Sequence, residues 1–163
     1  MREILYRGKP KSKYDYHFFS QSWKDNCRDG FVYGSLVVNK NRDLGDRYYI
    51  CVTALCSINS CVNNGMTSMI EVVPETVGEY TTLNDKNGRM IFEGDIVKHM
   101  QDDILINHGI VNWDKKNARW AYHTNVMNEC FAFYTPKAFE VIGNIHDNPE
   151  LLRGDKNEYI YGE

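Results

Sequence analysis

Short apolar and aromatic runs, separated by turn signals, are the feature that most constrains the fold of this chain. Residues 31–38 and 47–53 are rich in β-branched and aromatic side chains, which favour strands over helices. Asp29-Gly30 precedes the first run, and Asn84 to Gly88 forms a further turn in which Asn-Gly supplies positive φ. Runs of this length, recurring about every 8–12 residues, predict an all-β barrel or sandwich.

The same pattern continues to the C-terminal end. Further runs with strand character follow Met69. They are residues 69–73, 91–92, 96–97, 104–106, 109–113, 120–122, 131–134 and 139–145. Asn148-Pro149 predicts a short C-terminal helix, since Asn is a favoured N-cap and Pro a favoured first helical residue. Residues 54–62 fit a short helix and a strand end equally well.

The chain has 163 residues, which suits one domain or one domain with an appendage. We expect two small β-barrel-like lobes, of which the C-terminal one is SH3-like. The predicted parts are an N-terminal lobe 1–73 with an aromatic-rich insert at about 9–30, a connector 74–88, a C-terminal lobe 89–152 and a tail 153–163.

Charge and composition exclude several classes of protein. The net charge of -3 argues against a protein whose whole surface binds nucleic acid, although a local basic patch is compatible with it. No signal peptide or membrane-length apolar run is visible, so we expect a cytoplasmic protein without a membrane partner. The five cysteines and five histidines lack the paired spacing of zinc sites, so we predict no metal and no cofactor.

The centre of the chain carries a recognisable set of residues. Between 72 and 98 the motif residues are Pro74, Glu75, Thr76, Gly78, Tyr80, Gly88, Gly94 and Asp95. Together with the opening 2–9, the strand 33–36 and the ending 139–152, this segment resembles the YopX family of phage and prophage proteins. The resemblance implies an all-β fold in a phage or prophage setting, and it implies no known activity.

Three departures separate this chain from the pattern of that family. The family usually has Asp where this chain has Val73, and Gly where it has Thr82. The stretch between Gly8 and Phe31 is longer than usual, so the aromatic-rich insert is particular to this chain.

Two groups of residues are candidates for a functional site. Glu93 and Asp95 could act as a pair of carboxylates in acid/base catalysis. The preferred interpretation is structural: Gly94 bends the chain into a strand and Asp95 caps the turn. The second group interleaves basic and aromatic residues, as single-stranded nucleic-acid sites do, but it also fits a core or subunit interface. Its members are Lys9, Lys11, Lys13, Tyr16, Phe18 and Trp23.

The preferred function is therefore that of a non-enzymatic binding or assembly protein encoded by a phage or prophage. The alternative is a nucleic-acid-binding accessory protein that uses a small β-barrel, and a hydrolase using Glu93 and Asp95 is the least favoured interpretation. Because small β-rich domains leave edge strands that need covering, we expect a homo-oligomer with Tyr16, Phe18 and Trp23 near the contact. Nucleic acid and phage or host proteins are the other partners considered.

Overall fold

The computed structural model describes residues 4–12, 27–43, 45–54, 66–101, 104–124, 130–133 and 138–152. These residues are mostly strand, which confirms the all-β prediction. The strands are β1 Tyr6–Gly8, β2 Cys27–Arg28, β3 Phe31–Asn39, β4 Arg47–Ala54, β5 Met66–Val72, β6 Gly78–Asn84, β7 Met90–Phe92, β8 Asp95–Gln101, β9 Ile104–Asp114, β10 Arg119–His123, β11 Cys130–Ala132 and β12 Phe139–Asn144. Short 3-10 helices lie at Pro74–Thr76 and Pro149–Leu152.

The chain divides into two compact units, Met1–Tyr80 and Thr81–Glu163. In the first unit the strand order is β5-β4-β3-β1-β6, with all neighbours antiparallel and β2 paired to β3. The chain that follows β1 returns to the end of β5. The Lys11 N–H donates to the Glu71 carbonyl at 2.9 Å, and the Val73 N–H donates to the Lys9 carbonyl at 2.8 Å. The segment after β1 therefore lies beside the end of β5, and the sheet curls into a half-barrel.

Alternation along these strands builds the core of the first unit. Successive side chains of a strand point to opposite faces, so every second residue enters the core. The buried cluster consists of Val32, Ile50, Val52, Ile70 and Val72. The side chains between them consequently lie on the outer face of β3, β4 and β5.

The second unit contains a five-stranded antiparallel sheet in the order β11-β10-β9-β8-β12. Its buried cluster is largely aromatic and aliphatic, and Leu83, Trp120, Phe133 and Ala138 pack around it. The cluster members are Ile91, Val97, Val111, Tyr122, Phe139 and Val141. The C-terminal lobe was the one expected to be SH3-like. That expectation stays a prediction.

Two details differ from the predictions. The connector predicted at 74–88 contains β6, whose first residues pair with β1. Residues 104–106 and 109–113 belong to one strand, because β9 runs through Gly109. A Cβ at Gly109 would lie 2.2 Å from the His123 carbonyl oxygen, so glycine here permits close strand pairing and does not end the strand. The short C-terminal helix predicted from Asn148-Pro149 is present as the 3-10 helix Pro149–Leu152. The Asn148 carbonyl accepts from the Leu151 N–H at 3.1 Å, and its side chain accepts from the Asn144 N–H at 3.4 Å.

Within the part of the chain that the structure describes, no helix has the length and apolar character needed to span a membrane.

Candidate functional site

The Pro74-Glu75-Thr76 motif fixes the passage from β5 to β6. Pro74 begins the 3-10 helix, and the buried Thr76 hydroxyl donates to the Val73 carbonyl at 2.7 Å. The same oxygen accepts from the Lys9 N–H at 2.8 Å. Glu75 is exposed. Thr76 therefore satisfies backbone groups on two segments.

Gly78 and Tyr80 extend this arrangement into β6. Gly78 is buried and lies opposite Arg7 of β1. The Tyr80 side chain is buried, and its N–H donates to the Leu5 carbonyl at 2.8 Å. These motif residues hold the first and last strands of the unit together.

The Glu93-Gly94-Asp95 segment forms the turn into β8. Asp95 is fully buried, and its Oδ2 accepts from the Phe92 N–H at 2.8 Å. Gly94 has a φ of 81°, and its N–H donates to the Val111 carbonyl at 2.9 Å. The Asp95 carboxylate is thus used to hold the turn, an arrangement that favours the structural interpretation over a catalytic pair.

The beginning of the Lys/aromatic insert is tied to the first unit. The Lys11 ammonium lies 2.8 Å from the Glu71 carboxylate, and this hydrogen bond holds the pKa of Glu71 below its usual value. The Lys9 ammonium lies 5.3 Å from the centre of the buried Phe31 ring, and the Arg7 guanidinium lies 4.5 Å from it. Lys13, Tyr16, Phe18 and Trp23 lie outside the described residues.

The outer face of β3, β4 and β5 carries a group of neighbouring apolar side chains that sequence patterns did not single out. Val37 lies opposite Tyr49, and Cys51 lies opposite Met69. Tyr49 and Cys51 are two residues apart on β4, so they share the same face. Met69 is 52% exposed and Val37 36%. We call this group, Val37, Tyr49, Cys51 and Met69, the outer apolar face.

Charged side chains border the outer apolar face. Arg47 is two residues before Tyr49 on β4, and a hydrogen bond to Tyr49 raises the pKa of Arg47. Glu71 lies opposite Tyr49 on β5 and pairs with Lys11. An apolar centre with a charged rim is the usual anatomy of a protein interface.

A second cluster lies on the core side of the sheet in the second unit. The Tyr122 hydroxyl donates to Asn107 Oδ1 at 2.9 Å, and His99 Nδ1 lies 3.1 Å from the same hydroxyl. Since Tyr122 gives its proton to Asn107, its oxygen accepts from His99, which places a proton on Nδ1. The His99 ring stacks on Phe139 with centroids 4.8 Å apart.

Burial sets the protonation of this cluster. It lowers the pKa of His99 and raises the pKa of Tyr122. The hydrogen bond to Asn107 acts in the opposite direction on the pKa of Tyr122, but burial has the larger effect. Both groups are therefore neutral at pH 7. The sequence offered no signal for this cluster, because His99 and Asn107 meet only through the register of β8 and β9.

The family model described as YopX protein matches residues 34–153. The chain belongs to the YopX family. This confirms the resemblance carried by the motif residues between Pro74 and Asp95.

The YopX match begins inside β3, so β1 and the insert precede the matched region. No curated protein matches the chain. A similar solved structure is the crystal structure of protein EF1440 from Enterococcus faecalis, with 18% identity and a TM-score of 0.44. The similarity covers 92% of this chain and 98% of that chain.

Proposed function

We propose that this YopX family protein is a non-enzymatic binding or assembly protein, encoded by a phage or prophage, that works as a homo-oligomer. The observation that carries the proposal is the outer apolar face of the first unit. Val37 and Met69 are exposed on strands whose opposite face already forms a packed core. Contiguous exposed apolar side chains on a sheet mark an interaction surface.

The non-enzymatic character is supported by the use that the fold makes of its candidate carboxylates. Asp95 is fully buried and accepts a backbone N–H within its own turn. A carboxylate held in this way is not positioned to exchange protons with a substrate. Hydrolysis by Glu93 and Asp95 is therefore the least favoured function.

A second copy of the chain is the proposed occupant of the outer apolar face. Closed symmetric homo-oligomers are common, and an isologous contact uses the same patch on every copy. The predicted contact through Tyr16, Phe18 and Trp23 lies outside the described residues, so the outer apolar face is the part of the proposed interface that can be tested from the structure.

Co-expression of two copies with different affinity tags tests the proposal. Purification through one tag should recover the other copy, and Met69→Asp or Val37→Asp should abolish that recovery, since each buries a charge in the contact. Leu105→Asp is the matched control, because Leu105 is 53% exposed on β9 in the other unit. Failure to recover the second tag with the parent sequence overturns self-association. Equal recovery with Met69→Asp and the parent overturns the location.

Nucleic-acid binding is the second candidate function. Residues 9–12, at the start of the aromatic-rich insert, give it little support, because the Glu71 carboxylate neutralises the Lys11 ammonium. A different observation favours it: two tryptophans and two lysines meet at the β9–β10 hairpin.

A further inference from the structure

The tip of the β9–β10 hairpin is held in a defined shape by Asp114. Its Oδ1 accepts from the Lys116 N–H at 3.1 Å and from the Asn117 N–H at 3.3 Å. Its Oδ2 accepts from the Asn117 side-chain amide at 2.7 Å. Ala118 completes the turn with a φ of 49°. The tip therefore presents its side chains from a fixed backbone.

Two tryptophans face each other directly below this tip. Trp113 of β9 lies opposite Trp120 of β10 in the strand register. Their rings meet edge to face, with centroids 5.1 Å apart and planes at 76°. Trp120 packs against the core of the second unit, whereas Trp113 is 37% exposed. One indole thus anchors the other at the surface.

The charge around the exposed indole is positive. Lys115 and Lys116 are both exposed at the tip. Arg119 pairs with Asp114 in the strand register, one residue from the tryptophan pair, so both lie on the face opposite to the two indoles. There Arg119 Nε is 3.5 Å from Asp114 Oδ2. The two exposed lysines therefore supply the positive charge at the tip, in a chain whose net charge is -3.

We propose that this hairpin tip binds single-stranded nucleic acid. Lys115 and Lys116 would contact phosphates, and one base would stack against Trp113. Cationic side chains beside an exposed aromatic ring provide both parts of such a site. A duplex keeps its bases stacked on each other, and an acidic peptide has no base to place on the indole. This inference rests on the second candidate function and is independent of self-association.

Fluorescence anisotropy of a labelled oligothymidylate of about 16 nucleotides tests the inference, since sites of this kind cover about 4–16 nucleotides. We expect binding at low salt and a linear loss of log affinity with log salt concentration. Lys115→Gln with Lys116→Gln should reduce the slope by about 1.4, at about 0.7 per phosphate contact on a single strand. Trp113→Leu should weaken binding by about 5-fold to 150-fold through lost stacking.

The matched control is Lys40→Gln with Arg42→Gln, which removes two exposed charges from the β3–β4 loop. It should keep most of the affinity. No binding by the parent protein at low salt overturns the inference. The inference is also overturned if the control variant weakens binding as much as the lysine variant, or if Trp113→Leu binds as tightly as the parent. Equally tight binding of a duplex or of polyglutamate overturns it as well. Circular dichroism of each variant establishes that the fold is kept, and the two-tag recovery reports separately on self-association.

Discussion

At the scale of single residues, Gly94 shows how a backbone conformation fixes residue choice. Its φ of 81° is unfavourable for other residues, although a Cβ would meet the Ile145 side chain only at 3.6 Å, an ordinary contact. Gly94→Val should lower the free energy of unfolding by about 1–3 kcal/mol, through backbone strain. Gly94→Asn, which tolerates this region better, should lose less. Urea unfolding measures the stability of both variants. An unchanged midpoint for Gly94→Val would show that the positive φ does not restrict the residue at this position.

Thr82 is the opposite case, a β-branched residue at a φ of 67°. The left-handed conformation costs a non-glycine residue about 1–2 kcal/mol, while glycine loses about 0.5–1 kcal/mol of chain entropy. Thr82 is exposed. Thr82→Gly should therefore raise the free energy of unfolding by about 0.5–1 kcal/mol. Thr82→Val keeps the branched side chain and should give no gain in the free energy of unfolding. A loss of stability for Thr82→Gly would show that the backbone at Thr82 is not strained.

His99 makes stability depend on pH. Burial lowers its pKa in the folded state below the ordinary value of 6.5, so the unfolded chain takes up the proton first as the pH falls. The His99 contribution to stability is therefore constant above about pH 6.5 and declines below it. His99→Gln should lack that decline. The free energy of unfolding of both proteins is measured from pH 8 to pH 5. The difference between them should change only below about pH 6.5, and parallel curves over the whole range would contradict a role for His99.

At the scale of secondary-structure elements, Asp85 covers the outer edge of β12. Its Oδ1 accepts from the Asn87 and Arg89 N–H groups at 2.8 and 2.9 Å, and its Oδ2 accepts from the Val141 N–H at 3.0 Å. The Lys86 N–H also donates to a β12 carbonyl, that of Phe139, at 2.9 Å. This segment protects an edge strand from pairing with another chain.

Asp85→Ala leaves three N–H groups without their acceptor. We expect a loss of about 1–3 kcal/mol in the free energy of unfolding, since the buried Val141 N–H loses its acceptor, whereas Asn87 and Arg89 are exposed and their N–H groups can bond water. Asp85→Asn keeps one acceptor oxygen and should lose less. The exposed Asp43→Ala is the control, expected within about 0.5 kcal/mol of the parent. Thermal or urea unfolding decides, and parental stability of Asp85→Ala would show that the carboxylate contributes nothing.

Much of the strand pattern was predictable because it depends on local chemistry. The predicted run 31–38 became β3 at 31–39, and 47–53 became β4 at 47–54. The Asp29-Gly30 turn could be predicted because both residues have a positive φ, a conformation that aspartate tolerates and glycine adopts readily. The continuity of β9 and the presence of β6 were missed. Both depend on partners distant in sequence, namely His123 for Gly109 and β1 for β6.

At the scale of the whole molecule, the sequence predicted motif residues better than surfaces. Glycines and carboxylates in turns have signatures of their own, so Gly94 and Asp95 could be assigned structural roles. The outer apolar face has no such signature, because Val37, Tyr49, Cys51 and Met69 come together only through the register of three strands. The His99 cluster was missed for the same reason.

Static light scattering of the purified protein across micromolar concentrations measures whether copies of the chain associate. Association through the outer apolar face predicts a mass that is a whole multiple of 19.0 kDa for the parent and for Leu105→Asp. It predicts a mass near 19.0 kDa for Met69→Asp. A monomeric mass for the parent would contradict self-association. A multiple that Met69→Asp and Val37→Asp both leave unchanged would contradict the assignment of the outer apolar face as the contact.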